Sequence, residues 1–267
     1  MKSGTQVIQY RQYHAGKWGI VDSGIIVESE VSLTVNGEVW MSFMCTPTDL
    51  EALAVGFLYN EGLIDAVSEI ANVRVCEHGD NVDIWTTHAV EKPKAWRRTS
   101  GCTGGVTAVE EESTPPVNLN GFSIAPKEIN QLIGDLFESQ NLYRKVGGVH
   151  TSALSDGKNI LVTAEDIGRH NSIDKLAGIC LLNQTEILNK ILLTTGRISS
   201  EMLQKAARLG AAIVISRTSP SSLSIELAEK LGVTLIGYAR RDRFSVYAHP
   251  ERILSERIRD DVSRSSA

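Results

Sequence analysis

The chain has 267 residues, 42% of them hydrophobic and 22% charged, with a formal net charge of −5. These values suit a soluble globular protein with one large domain or two modest ones. They exclude a membrane-spanning helix, since no run of about 18 apolar residues occurs, and a general nucleic-acid binder, which carries a basic surplus.

Met1 to Tyr13 is polar and lacks the apolar core of a signal peptide, so the expected location is the cytoplasm. Extended segments are expected at residues 25–35, 39–44, 72–76 and 82–86. One helix interrupts them. Thr46 offers its N-cap, Pro47 its first position and Asp49 a capping box, and Leu50, Leu53, Ala54, Phe57 and Leu58 follow at helical spacing. Residues 90–121 then hold Pro93, Pro115, Pro116 and the acidic run Glu110 to Glu112, and so long a connection is usually functional. We expect a β-rich N-terminal domain over 1–120 that includes this loop.

Beyond it the pattern changes to alternating helices and short apolar strands. Helices are expected at 126–139, after an Asn171 cap with Asp174 three residues on, at 199–209, and from Ser219-Pro220 to Gly232. Strands are expected at 159–163, 191–195, 212–216, 233–238 and 244–247. The alternation implies an α/β domain over 121–267 with a mostly parallel sheet covered on both faces.

Ligands bind where the strands of such a sheet end. Four of these expected strand ends carry arginine: Arg169 with His170, then Arg197 after Gly196, then Arg217, then Arg240, Arg241 and Arg243. Guanidinium forks beside helix N-termini suit phosphate oxygens, and Gly196 lets backbone approach a pyrophosphate. The alternative is that these arginines are solvated or paired with Glu165, Asp166 and Asp242. No Walker A or GxGxxG pattern is present, which disfavours an ordinary ATPase or dehydrogenase.

The four cysteines are too sparse for a disulfide scaffold. Cys45 and Cys180 sit in apolar segments and read as small core residues. Cys102 lies in Arg97-Arg98-Thr99-Ser100-Gly101-Cys102-Thr103-Gly104-Gly105, among glycines and two arginines able to favour its thiolate. The alternative is an incidental cysteine in a loop. No CxxC is present, and His78 and His88 stand at no zinc spacing, so no metal site is expected.

Several motifs, in order, resemble the formate dehydrogenase accessory sulfurtransferases, the FdhD/NarQ family. They are Thr46-Pro47-Thr48-Asp49-Leu50-Glu51 with Ala54-Val55-Gly56-Phe57-Leu58; Gly147-Gly148-Val149-His150; Glu165-Asp166-Ile167-Gly168-Arg169-His170-Asn171 with Asp174-Lys175; Thr195-Gly196-Arg197-Ile198-Ser199; and Arg243-Phe244-Ser245-Val246-Tyr247. The resemblance implies a cytidine-deaminase-like three-layer α/β/α fold, a homodimer, and Cys102 as a persulfide carrier. It implies that sulfur comes from a cysteine desulfurase and goes to the molybdenum bis(molybdopterin guanine dinucleotide) cofactor needed by formate dehydrogenase. It implies that Phe244, Ser245, Val246, Tyr247, Ala248 and His249 help to hold that cofactor. His150, Asp166 and His170 are candidates for orienting groups or moving protons, or for a polar structural network. Where the family commonly has CxxC, this chain reads Cys102-Thr-Gly-Gly105, which leaves a non-catalytic cofactor chaperone as the competing reading. The deaminase signature, His-x-Glu with PCxxC, is absent, since Thr151 and Ser152 follow His150.

Overall fold

The first two strands, β1 (Thr5–His14) and β2 (Lys17–Ile26), form an antiparallel ribbon that, among the described residues, joins no larger sheet. The computed structural model describes residues 3–94 and 122–254, with the backbone of Arg97–Arg98 and Val106–Thr107. The ribbon went unexpected because its residues are mostly exposed and so lack the apolar alternation of a half-buried strand.

Four strands follow in the order β4-β3-β6-β5: β3 (Ser29–Val35), β4 (Glu38–Cys45), β5 (Ile70–Val75) and β6 (Asn81–Thr86). Helix α1 (Leu50–Asn60) packs against β5 and β6. It begins later than the Thr46 cap predicts: Asp49 is the N-cap residue, left-handed at φ 51° and without a side-chain cap bond. Thr46 is occupied elsewhere. Its N–H donates to Asp166 Oδ2 at 3.0 Å, its Oγ1 accepts from Ile167 N–H at 3.1 Å, and its carbonyl accepts from Lys175 Nζ at 2.9 Å.

Two short paired strands, β7 (Arg97–Arg98) and β8 (Val106–Thr107), flank the segment that contains Cys102, which lies outside the described residues. After α2 (Pro126–Glu138) and α3 (Leu142–Val146) comes a six-stranded sheet of order β10-β9-β11-β12-β13-β14. Its strands are β9 (His150–Ser155), β10 (Ile160–Asp166), β11 (Lys190–Thr194), β12 (Ala211–Ser216), β13 (Thr234–Gly237) and β14 (Ser245–Ala248).

The sheet is mixed, which corrects the expectation of a mostly parallel one. Only β11-β12 and β12-β13 pair in parallel; β9 is antiparallel to both β10 and β11, and β14 to β13. Strand β9 is the unforeseen part of this, and β14 reverses direction at the other edge. His-Thr-Ser-Ala-Leu-Ser is polar yet buried from Thr151 onward, and its hydroxyls are satisfied inside. Thr151 Oγ1 accepts from Gln140 at 2.8 Å, and Ser152 Oγ meets Ser172 Oγ at 2.8 Å. Even so, β10, β11, β12 and β13 all run the same way, so their carboxyl ends share one edge. The amino ends of β9 and β14 meet them there.

Helices α4 (Arg169–Leu182), α5 (Ser200–Arg208) and α6 (Ser222–Leu231) belong to the larger apolar cluster with Leu154, Leu192, Val214 and Leu235. Helix α2 packs the alternate residues Ile191, Leu193, Ile213 and Ile236 on the other face. The larger cluster also includes Val31, Leu33, Leu53 and Phe57, so apolar packing is continuous across the expected boundary near residue 120.

The join is made by α1 crossing α4 at backbone contact. A Cβ on Gly56 would lie 1.8 Å from Asp174 O, and one on Gly178 would lie 1.9 Å from Ala52 O, so only glycine fits at either place. Two buried ionic locks flank the crossing. Asp166 pairs with Lys175 at 2.7 Å, and Asp174 pairs with Lys205 at 2.8 Å and accepts from Asn60 at 2.7 Å. Lys205 also meets Glu61 at 3.4 Å. Burial pushes the Asp174 carboxyl up, against the pull of Lys205. Burial likewise works against the Lys205 cation, but Asp174 and Glu61 outweigh it and hold its pKa above the ordinary value.

Candidate functional site

The common edge of β10–β13 gathers most of the residues expected there. Strand-end hydroxyls shape its loops: Thr194 Oγ1 accepts from Gly196 N–H at 3.1 Å, and Ser216 Oγ donates to Gly196 O at 2.7 Å. Thr195 Oγ1 accepts from Thr151 N–H at 3.0 Å, tying the start of β9 to the same turn. A Cβ on Gly196 would lie 2.9 Å from Arg169 Cβ, 3.2 Å from Arg169 Cδ and 3.5 Å from His150 Nδ1. This glycine therefore makes room for the Arg169 side chain and His150, a role its sequence context does not reveal.

Beside this turn lies a cavity of about 330 Å³ walled by Arg169, Arg197, Ser199, Ser200, Glu201 and the loop Ser219 to Ser221. Ser199 is the N-cap residue of α5, yet its side chain makes no cap bond; its Oγ is buried with no hydrogen-bond partner among the described residues. The cavity thus combines two guanidiniums with a helix N-terminus, a setting for an anion with several oxygens. Glu201 is the carboxylate on its wall.

A second hollow on the rim, of about 280 Å³, is lined by Tyr238, Arg240, Arg243, Phe244 and Ser245. Arg217 stands near Arg240: its carbonyl accepts from Arg240 Nη1, and its guanidinium stacks 4.0 Å from the Phe137 ring. Burial, then Arg240, lowers the Arg217 pKa. Arg241 turns to a different hollow, against Lys127, Asp135 and Glu138 of α2.

Two of the carboxylates weighed as partners for the rim, Glu165 and Asp166, face elsewhere. Glu165 accepts from the N–H groups of Asn141, Leu142 and Tyr143 at 2.8, 2.7 and 3.1 Å, and so caps α3. Asp166 accepts from Thr46 N–H, Gly168 N–H and Asn171 Nδ2 besides pairing with Lys175. Among the described residues, Arg197, Arg217, Arg240 and Arg243 form no salt bridge.

Asp166 is therefore part of a structural lock rather than of the open rim. Asn171 belongs to the same lock. It lies inside α4, whose N-cap is Gly168, and donates to Met44 O at 2.8 Å and to Asp166 at 3.0 Å. His170 is buried beneath the rim, with Nε2 lacking a partner among the described residues. Burial first, then Lys205, Arg169 and His150, hold its pKa well below the ordinary histidine value. His150, at the start of β9, is also lowered, by burial and then by Arg169 and Arg197. Both rings are neutral near pH 7, so the positive charge of the rim comes from its arginines.

The terminal segment divides. Phe244 and Ser245 reach the rim, whereas Val246 packs with the α2-side cluster and Tyr247 with the other. Ala248 pairs with Leu235 near the far edge of the sheet. His249 is beyond it, held by Glu251 Oε1 at 2.9 Å and Glu229 O at 3.1 Å. The structure does not bring Ala248 and His249 to the rim.

Cys45 and Cys180 are buried, as expected, and burial pushes the Cys180 thiol up to about 12. Cys76 is half-buried and donates to Asp80 Oδ1 at 2.8 Å.

Comparison with known proteins supplies the context for this rim. The model of the FdhD/NarQ family matches residues 26–254. The "sulfur carrier protein FdhD" of Bacillus subtilis (strain 168) is 35% identical over 255 residues, covering 93% of this chain and 97% of its own length. The protein of the same name from Staphylococcus aureus (strain MRSA252) is 32% identical, covering 91% and 94%. Among solved structures, a candidate formate dehydrogenase accessory protein from Desulfotalea psychrophila superposes with a TM-score of 0.80 at 32% identity. The match covers 94% of this chain and all of that one.

Proposed function

The chain belongs to the FdhD/NarQ family, and on that footing we propose that it carries sulfur on Cys102 from a cysteine desulfurase to the molybdenum bis(molybdopterin guanine dinucleotide) cofactor destined for formate dehydrogenase. The Cys102 thiolate takes the terminal sulfur of the donor's persulfide, leaving the donor as a thiolate and forming Cys102–S–SH. This exchange needs no outside oxidant.

The observation that carries the reading is the cavity of Arg169, Arg197 and the α5 N-terminus, which suits the diphosphate of a guanine dinucleotide substrate. Arg240, Arg243 and Phe244 supply further cationic and stacking surface on the same rim, with Arg217 behind them. Gly196 keeps Arg169 in place. Neutral His150 can donate or accept a hydrogen bond beside the cavity. We place the activity in the cytoplasm, in a homodimer with a cytidine-deaminase-like α/β/α half.

Gly105, where the family commonly has a second cysteine, favours one competing reading: a chaperone that binds the cofactor and the apo-enzyme without carrying sulfur. A cell lacking the native protein separates the two. Complementation with Cys102→Ser should fail to give active formate dehydrogenase under the carrier reading. Full restoration of activity would establish the chaperone instead.

A further inference from the structure

The cavity of Arg169 and Arg197 is not uniformly cationic. Its wall also carries the Glu201 carboxylate and the apolar side chains of Pro220 and Leu223, the latter 42% exposed. None of these three suits a phosphate, and the carboxylate repels one. The cavity therefore suits a ligand that joins phosphates to an apolar ring and to hydrogen-bond donors.

Two helices begin at this cavity, and their first turns differ. Helix α6 opens with a closed capping box: Ser221 Oγ accepts from Ser224 N–H at 3.2 Å, and Ser224 Oγ accepts from Ser221 N–H at 3.0 Å. Helix α5 opens with Ser199 and Glu201, and no such box closes there. Glu201 Oε2 is buried without a hydrogen-bond partner among the described residues, as is Ser199 Oγ. Nor does Glu201 form a salt bridge among the described residues. A carboxylate in the first turn complements the helix dipole, but that effect needs no buried oxygen. A buried acceptor left without a donor is costly, more so when it is charged. The turn that carries it is fixed from both sides. Ile198 N–H donates to Ser219 O at 3.2 Å, Ser221 N–H to Ile198 O at 2.9 Å and Ser224 Oγ to Ile198 O at 3.0 Å, while Met202 and Leu203 anchor α5 in the core.

Resting on the nucleotide reading of this cavity given above, we propose that Glu201 selects the base. Its carboxylate accepts from the ring N1–H and the exocyclic N2–H of guanine, the purine lies against Pro220 and Leu223, and the diphosphate lies on Arg169 and Arg197. A carboxylate only accepts hydrogen bonds, and guanine offers it two adjacent donors on one edge. Ser199 Oγ, on the same wall, supplies a hydroxyl donor for the guanine O6. Adenine presents one donor beside an acceptor nitrogen, so it makes one bond and sets a lone pair against the carboxylate. Hypoxanthine keeps the ring N1–H and lacks the amino group. Glu201 thereby distinguishes a guanine nucleotide from adenine nucleotides, which carry the same diphosphate.

The test is titration calorimetry of the full chain with GDP, IDP, ADP and inorganic pyrophosphate. The wild type should bind GDP about tenfold more tightly than IDP and at least about a hundredfold more tightly than ADP. Glu201→Gln keeps the shape but exchanges an acceptor for a donor, the pattern that matches adenine. It should weaken GDP about tenfold and bring GDP and IDP within about threefold of each other. It should also strengthen ADP, a gain that misfolding cannot produce. Pyrophosphate, which has no base, should bind the variant at least as tightly as the wild type. A wild type that holds pyrophosphate and GDP but takes IDP and ADP equally well would overturn the role of Glu201 and leave the phosphate site standing. A Glu201→Gln variant with wild-type preferences would do the same. A wild type that binds neither GDP nor pyrophosphate would overturn the nucleotide reading and this inference together.

Discussion

Replacing Lys175 by methionine isolates the energetics of the lock beneath the rim. Lys175 Nζ and Asp166 are both fully buried and 2.7 Å apart. The same ammonium also donates to Thr46 O at 2.9 Å and Glu165 O at 3.3 Å. Methionine retains the packing volume but strands the Asp166 carboxylate, which keeps only the Thr46, Gly168 and Asn171 donors. Breaking a buried pair from one side costs about 3–5 kcal/mol. In a protein of this size that lowers the melting temperature by about 6–20 °C. The double variant Lys175→Met with Asp166→Asn removes the stranded charge and should recover at least about 1 kcal/mol. Urea unfolding followed by fluorescence reads both. A loss below about 1 kcal/mol in the single variant, or a double variant no better than the single, would refute the structural assignment of Asp166 and return it to the list of proton carriers.

Gly178→Ala should destabilise by about 3 kcal/mol or more, because its Cβ would meet Ala52 O at 1.9 Å and two backbones would have to part; denaturant midpoints check this. Gly196→Ala should leave the melting temperature within a few degrees but push Arg169 aside, weakening GDP binding by about tenfold in calorimetry. Arg197→Ala should likewise weaken GDP and flatten the salt dependence of its binding. The depressed pKa of His170 has a signed consequence. The folded state takes up fewer protons than the unfolded one as pH falls below about 6.5, so stability is full above that pH and declines beneath it, by up to about 1.4 kcal/mol per pH unit. His170→Gln should flatten that decline in unfolding titrations between pH 7 and pH 5.

The sequence carried the helices α2, α5 and α6 and the strands β3–β6 and β10–β14 to within a few residues, because each shows apolar periodicity or a short apolar run with clear stop signals. It misplaced the starts of α1 and α4 for a shared reason. Thr46 and Asn171 have the side chains of N-caps, but tertiary partners, Asp166, Lys175 and Met44, claim their hydrogen bonds. Buried hydroxyls hid β9, and the parallel reading of the sheet followed partly from that omission and partly from taking β14 to run with β13. The arginine rim was legible because strands of like direction put their ends on one edge whether or not an antiparallel strand lies between them. The division of those arginines among three hollows, and the removal of His249 to the far edge, depend on loop geometry and strand length that composition does not encode.

The central claim is that Cys102 carries the sulfur, and intact-protein mass spectrometry after incubation with a cysteine desulfurase and cysteine tests it most directly. The wild type should gain one sulfur atom, removable by a thiol reductant, and Cys102→Ala should gain none while Cys76→Ala still loads. Sulfur that persists on Cys102→Ala, or a wild type that never takes it up, would contradict the account.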